Sequence, residues 1–227
     1  MIVSIHQANY LPYPGFFYKL LNSDIFVIQD DIQPSKDTNR NKIISSTGST
    51  WLTVPIQKHE ITTSIQELKI NNDIKWTKLH WKKISAAYNK SEYFHLYKEY
   101  IENIFNHEWK NIFDLNYELI KQVNKWLEID IKIIRESELS PKGTSTERLV
   151  NVCKKLDATT YFSGIGGKNY LDETLFAKNN IALKFTNYLP MNYKQIHCPQ
   201  FISNLSILDM LCNIGPNSSD LIKRSFK

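Results

Sequence analysis

Short apolar runs alternate with longer amphipathic stretches along most of this chain, and that alternation predicts its elements before any single residue is considered. Ile2-Val3-Ser4-Ile5 and Ile25-Phe26-Val27-Ile28 are short and nearly continuous in apolar character. Such runs fit strands buried on both faces, as in a parallel sheet. Between them, Pro14 to Asn22 reads as a helix: Pro14 suits a first helical position, and Phe17, Leu20 and Leu21 share a face. Asn22-Ser23-Asp24 breaks it. Further strands are expected at 42–45, 51–56 and 65–70, with turn-like segments at 46–49 and 58–60.

From Asp73 the pattern becomes helical, and residues 73–128 predict helices over about 73–89, 91–107 and 109–128, with Ser91 as an N-cap. They would cover the sheet or form a lid-like insert. Strand character returns at 131–135, 159–163 and 181–185. Helices are expected at 146–156, capped by Thr144 or Ser145, at 171–179, and at 206–213. Strands alternating with helices predict an α/β fold, Rossmann-like, with a mostly parallel sheet. Residues 1–227 read as a single domain with a helical insert at about 73–128.

The polar residues concentrate where strands end. In an open α/β sheet, ligands bind outside the carboxyl ends of strands, so these loops are the first candidates for a site. After the first strand come His6, Gln7, Asn9, Tyr10 and Tyr13, punctuated by Pro12, Pro14 and Gly15. An imidazole there can act as a base or donate to a phosphate; a strand-end His satisfied by backbone groups is the plainer alternative. After the second strand come Asp30 and Asp31, then Lys36, Arg40 and Asn41. Adjacent carboxylates can orient an amine or ribose hydroxyls, yet on a strand end they diverge, so one at most faces a site. A turn residue plus one solvated charge is the alternative. Lys36 and Arg40 can neutralise phosphates. Ser163-Gly164-Ile165-Gly166-Gly167-Lys168 looks like a phosphate-cradling turn, with neither Walker nor GxGxxG spacing; a tight strand-to-helix turn is the alternative. Trp51 and the loop tyrosines can stack on a sugar or base. His80, His95 and His107 lack metal-ligand spacing and are expected at the surface or at caps, so no metal is assigned.

Composition narrows the class. Hydrophobic content of 42% with 22% charge is ordinary for a globular protein. The net charge of +5 is carried mostly by dispersed lysines with no basic run, which argues against nucleic acid as a partner. Three cysteines without paired spacing fit buried thiols in a reducing compartment. No signal peptide and no apolar stretch of membrane-spanning length is visible, so a cytoplasmic location is expected.

His6-Gln7-Ala8-Asn9-Tyr10-Leu11-Pro12-Tyr13-Pro14-Gly15-Phe16-Phe17 resembles the opening motif of the WbqC-like family, of the form His-Gln-Pro-x-Tyr-Leu-Pro-Trp-x-Gly-Tyr-Phe. Ser23 to Val27, Asp30 to Gln33, Arg40 to Ile43, Trp51 to Pro55, Tyr161 to Leu171 and Ser206 to Leu211 extend it over essentially the whole chain. Ala8 and Tyr13 depart from the family's Pro and Trp. The resemblance implies bacterial surface-polysaccharide (O-antigen) biosynthesis: a transferase modifying a nucleotide-linked amino sugar by N-acylation. Its partners would be that nucleotide sugar and an acyl or aminoacyl donor. It leaves both the cofactor and a homo-oligomer open. A looser similarity is to ATP-using nucleotidylyltransferases and pantoate ligases, with His6 at their first motif His and Ser163 to Lys168 at their second motif; their second His is absent. A non-enzymatic sugar-binding or scaffold role is the third expectation.

Overall fold

The structure is a computed structural model describing residues 1–225. Strand β1 (Ile2–Gln7) lies at the centre of a five-stranded sheet. Its neighbours are β2 (Ile25–Gln29) on one side and β6 (Thr160–Ser163) on the other, with β5 (Lys132–Arg135) and β7 (Ala182–Phe185) at the edges. Every pairing in this sheet is parallel, as the continuous apolar runs require, and the fold is α/β and Rossmann-like. The alternation within the runs serves two cores. Phe26 and Ile28 pack with Phe16, Phe17 and Leu20 of α1 (Pro14–Leu21) on one face. Val3, Ile5 and Val27 pack on the other with Leu149, Val152 and Cys153 of α6 (Ser145–Lys155) and Phe176 of α7 (Glu173–Lys178).

The chain begins at the centre, moves outward through β2 to β5, then returns to the far side of β1 for β6 and β7. The connections therefore part between β1 and β6, and their carboxyl ends leave a crevice there. A separate antiparallel hairpin, β3 (Arg40–Ser45) and β4 (Gly48–Thr53), pairs Lys42 with Trp51 and stands beside that crevice. Helices α2 (Trp76–Tyr88), α3 (Phe94–Asn106) and α4 (Ile112–Trp126) follow, adding Ile84, Ile101, Leu119 and Ile120 to the larger core. Helix α8 (Ile207–Ile214) and α9 (Ser218–Lys223) close that face. Among the described residues no helix is long and apolar enough to cross a membrane.

Four local expectations change. The strand expected at 65–70 is a single 3-10 turn, Ile65–Glu67. Ser64 and Glu67 form a reciprocal capping box that closes the turn, and only isolated bridges remain at Lys69 and Ile70. Ser91 does not cap α3; its hydroxyl donates to the Tyr88 carbonyl and ends α2. A short helix, α5 (Glu136–Leu139), occupies the start of the loop expected after β5. His80 is not at the surface but 2% exposed, accepting from the Tyr10 hydroxyl at Nδ1 (2.9 Å) and donating from Nε2 to the Thr53 carbonyl (3.1 Å). Burial pulls its pKa down to about 4, so the ring is neutral and fully used.

Candidate functional site

A cleft of about 980 Å³ opens at the carboxyl ends of β1 and β6. That is the size range of pockets that enclose a whole organic ligand. Its floor is formed by the end of β1 and the loop after it, with His6, Gln7, Asn9, Pro12 and Tyr13 all lining it. One wall is the β3–β4 hairpin, through Asn41, Lys42 and Trp51; another is the start of α6, through Ser145, Arg148 and Leu149. Tyr188, Pro190 and residues 202–205 close the remaining side.

The loop after β1 is held in an unusual path. Leu11 is fully buried with φ +42, a left-handed conformation that a branched side chain rarely adopts. The Asn41 Nδ2 fixes it by donating to the Leu11 carbonyl (2.6 Å), while Asn41 Oδ1 accepts from the Lys42 amide (2.7 Å). Asn116 Nδ2 donates to both the Ala8 and Thr38 carbonyls (2.7 Å each), stapling this loop to the one after β2. Gly15 explains itself by space: the rings of Tyr13 and Tyr188 occupy the volume that a Cβ would need.

His6 sits half-buried on this floor, its ring edge-on to Phe16 at 5.1 Å. Its Nδ1 lies 3.1 Å from the Gln7 carbonyl. A carbonyl only accepts, so Nδ1 carries the proton and Nε2 keeps a lone pair. Burial, aided by the nearby Lys19 ammonium, pulls the His6 pKa down to about 3. The neutral ring is thus an acceptor; donating to a phosphate would need the protonated form that burial disfavours. Lys19 is itself 2% exposed and makes no ion pair among the described residues, and burial lowers its pKa to about 7.

The other candidates divide. Gln7 reaches the cleft but spends its amide, accepting from the Ser35 amide (3.1 Å) and donating to the Gln33 carbonyl (3.2 Å). Asn9 is buried in the cleft wall with an Oδ1 that has no protein donor. Tyr13 lines the cleft, its phenol pushed up by burial and by the Asp37 carboxylate. Trp51 is 42% exposed there, with the Arg40 guanidinium and the Lys42 ammonium each 4.9 Å from its ring. Arg40 itself stays outside the lining, its Nε donating to the Lys36 carbonyl (3.1 Å), and Lys36 is exposed beyond it.

Tyr10 lies away from the cleft, fully buried against His80. Asp30 is also fully buried and outside it. Its carboxylate accepts from Arg135 Nε (2.9 Å), the Ser137 amide (3.0 Å) and the Ser137 hydroxyl (2.6 Å), locking α5 onto the end of β2. Asp31 turns outward to Arg148 (3.5 Å) and Gln66 (3.3 Å). From the glycine turn after β6, Ser163, Gly164, Gly166 and Lys168 lie outside the cleft lining. Ser163 is buried with its hydroxyl on the Gly164 carbonyl, and Lys168 lies over the Phe185 ring (5.4 Å). A Cβ at Gly164 or Gly166 would meet nothing; Gly167 is the position where Ser163 and Leu171 leave no room. From this turn and the residues after it, Ile165 and Tyr170 reach the cleft.

Three charged lining residues escaped the sequence reading: Lys42, Arg148 and Asp37. Arg148 lies in the first turns of α6, with Nη2 on the buried Glu136 carboxylate (3.0 Å) and only 17% of its side chain exposed. Asp37 lies near the end of the β2 loop, beside the β1 loop: the Tyr10 amide donates to its carbonyl (3.2 Å). Its carboxylate accepts no hydrogen bond and makes no ion pair among the described residues. Nothing in spacing distinguished Asp37 from the adjacent Asp30-Asp31 pair, and helical Arg148 gave no signal at all.

A sheet whose first strand ends in His-Gln, a buried turn through Leu11 and a switch-point cleft floored by that turn define one class of protein. The chain belongs to the WbqC-like protein family, whose model matches residues 7–221. It is also 32% identical over 226 residues, 97% of each chain, to a Mycobacterium tuberculosis (strain ATCC 25618 / H37Rv) protein described as "Uncharacterized protein Rv1507c". No solved structure matches it.

Proposed function

We propose that this protein is a transferase acting on a nucleotide-linked amino sugar, adding an acyl group to its amine, in bacterial surface-glycan synthesis. The observation that carries this reading is the neutral His6 on the floor of a switch-point cleft of about 980 Å³. A cleft of that size accommodates a nucleotide with its sugar. The exposed face of Trp51, with Lys42 beside it, suits a stacked ring and an adjoining phosphate. His6 Nε2 would accept a hydrogen bond from the neutral substrate amine; the amine nitrogen attacks the thioester carbon, the C–S bond breaks, and the proton the amine loses leaves on the departing thiol. The donor would enter along the α6 wall, past Leu149, Ile165 and Tyr170, where the lining is largely apolar and aromatic.

The test is incubation with uridine- and thymidine-diphosphate amino sugars and a set of acyl and aminoacyl thioesters, read by mass spectrometry. The expected outcome is a product heavier by one acyl group, absent in His6→Gln. A thermal shift with the sugars but no product under any donor would favour the binding or scaffold role. No shift with any nucleotide sugar would remove the reading altogether.

A further inference from the structure

We infer that Asp37 anchors the amine of the ligand, taken up in its ammonium form, in the cleft. This rests on the nucleotide-sugar reading above and adds which functional group is recognised, and by which residue.

The inference starts from the distribution of donors and acceptors. Around the β1 loop, the side chains facing the cleft lack cations. Asp37 contributes a half-buried carboxylate with no protein partner, His6 an unprotonated Nε2, and Asn9 an amide whose Oδ1 has no donor. On the hairpin wall Lys42 lies over Trp51 and makes no ion pair among the described residues. A half-buried carboxylate left unpaired is unfavourable, and a bound group rich in N–H donors relieves it.

The other carboxylates nearby are already used. Asp30 is saturated by Arg135 and Ser137, Asp31 faces Arg148, and Glu136 accepts from Arg148 and Gln29. Asp37 is held in place by backbone alone, through the Tyr10 amide on its carbonyl and its own amide on the Ser35 hydroxyl (3.3 Å). Its side chain has therefore been kept near the cleft without any structural bond that requires a carboxylate. A hydroxyl could use the same acceptors, but only a cation adds charge–charge attraction to the hydrogen bond.

The experiment is calorimetric binding of uridine- and thymidine-diphosphate sugars in matched pairs that carry an amine or a hydroxyl on the same ring carbon. The wild-type protein is expected to bind the amine member about tenfold or more tightly, the scale of one charge-assisted hydrogen bond. Asp37→Asn and Asp37→Ser should erase that margin, weakening the amine member more than the hydroxyl member; Asp31→Asn should keep it. Equal binding of a pair by the wild-type protein, or a margin that survives both Asp37 variants, overturns the inference and leaves the nucleotide-sugar reading standing. Failure of both pair members to bind overturns that reading as well. Both Asp37 variants should melt within a few degrees of wild type. Unfolding of either would show a structural carboxylate, which also overturns the inference.

Discussion

The loops after β1 and β2 look alike as strings of residues, each polar, each placed where a strand ends, yet they do opposite work. The β2 loop begins with Asp30, whose carboxylate is wholly enclosed and bonded to Arg135 and Ser137. The β1 loop begins with His6 and Asn9, whose acceptors have no protein donor and whose side chains line the cleft. The difference comes from the neighbours. Strand β2 is flanked by β5, and the helix that follows β5 folds over the end of β2 and supplies donors. Strand β1 is flanked by β6, across the point where the connections part, so its end opens onto the cleft. Polar density marks both loops; the candidates for ligand contact are the acceptors that no protein donor fills, on the β1 loop and at Asp37 near the end of the β2 loop.

The largest effect that would test this contrast is at Asp30. Asp30→Ala leaves Arg135 facing a buried void, and denaturant unfolding should show a loss of about 3–5 kcal/mol. A loss under about 1 kcal/mol would mean that the enclosed network is not what holds α5 to the sheet.

Acid should act on the other loop first. Free histidine titrates near 6.5, whereas burial lowers His6 to about 3 and His80, which grips Tyr10 of the β1 loop, to about 4. The unfolded chain therefore takes up protons first as pH falls. The stability these rings contribute is complete above pH 6.5 and declines below it, down to about 4 for His80 and about 3 for His6. The slope is up to about 1.4 kcal/mol per pH unit for each ring. Thermal melts from pH 7 to pH 4.5 should fall accordingly, and His80→Gln should flatten the curve. A flat wild-type profile would mean that neither ring is desolvated.

His6→Gln separates function from stability. It should lower acyl transfer by about 100-fold or more while shifting the unfolding free energy by about 1 kcal/mol at most, because the ring makes one backbone hydrogen bond. Equal damage to both would make His6 a packing residue. The smallest effect belongs to Asp31→Ala: Asp31 is itself exposed and its contacts are long, so stability should change by about 0.5 kcal/mol or less.

Much of the architecture was legible because it depends on periodicity. The buried parallel strands, the three helices between β4 and β5, and the α/β class follow from where apolar residues recur. The miss at Ile65–Glu67 came from reading Ile65 to Ile70 as apolar alternation while the Ser64-x-x-Glu67 cap signal stood in view. Helix α5 was hidden because its docking depends on Asp30, more than a hundred residues earlier in the chain. Among candidate residues, those of the β1 loop and hairpin reach the cleft through His6, Asn9, Tyr13 and Trp51, whereas Tyr10, Asp30 and Lys168 do not. His80 looked like a surface histidine and is a core one, since its two partners, Tyr10 and Thr53, are far away in sequence.

The sequence by itself determined most of the elements, the fold class and the family, because these are carried by local period and by the motif from His6 to Phe17. Which polar residue is spent on structure and which is left for a ligand was decided by the tertiary structure. A carboxylate's role depends on what donors surround it, and for Asp30, Asp31 and Asp37 those donors, or their absence, arise from segments that only folding brings together.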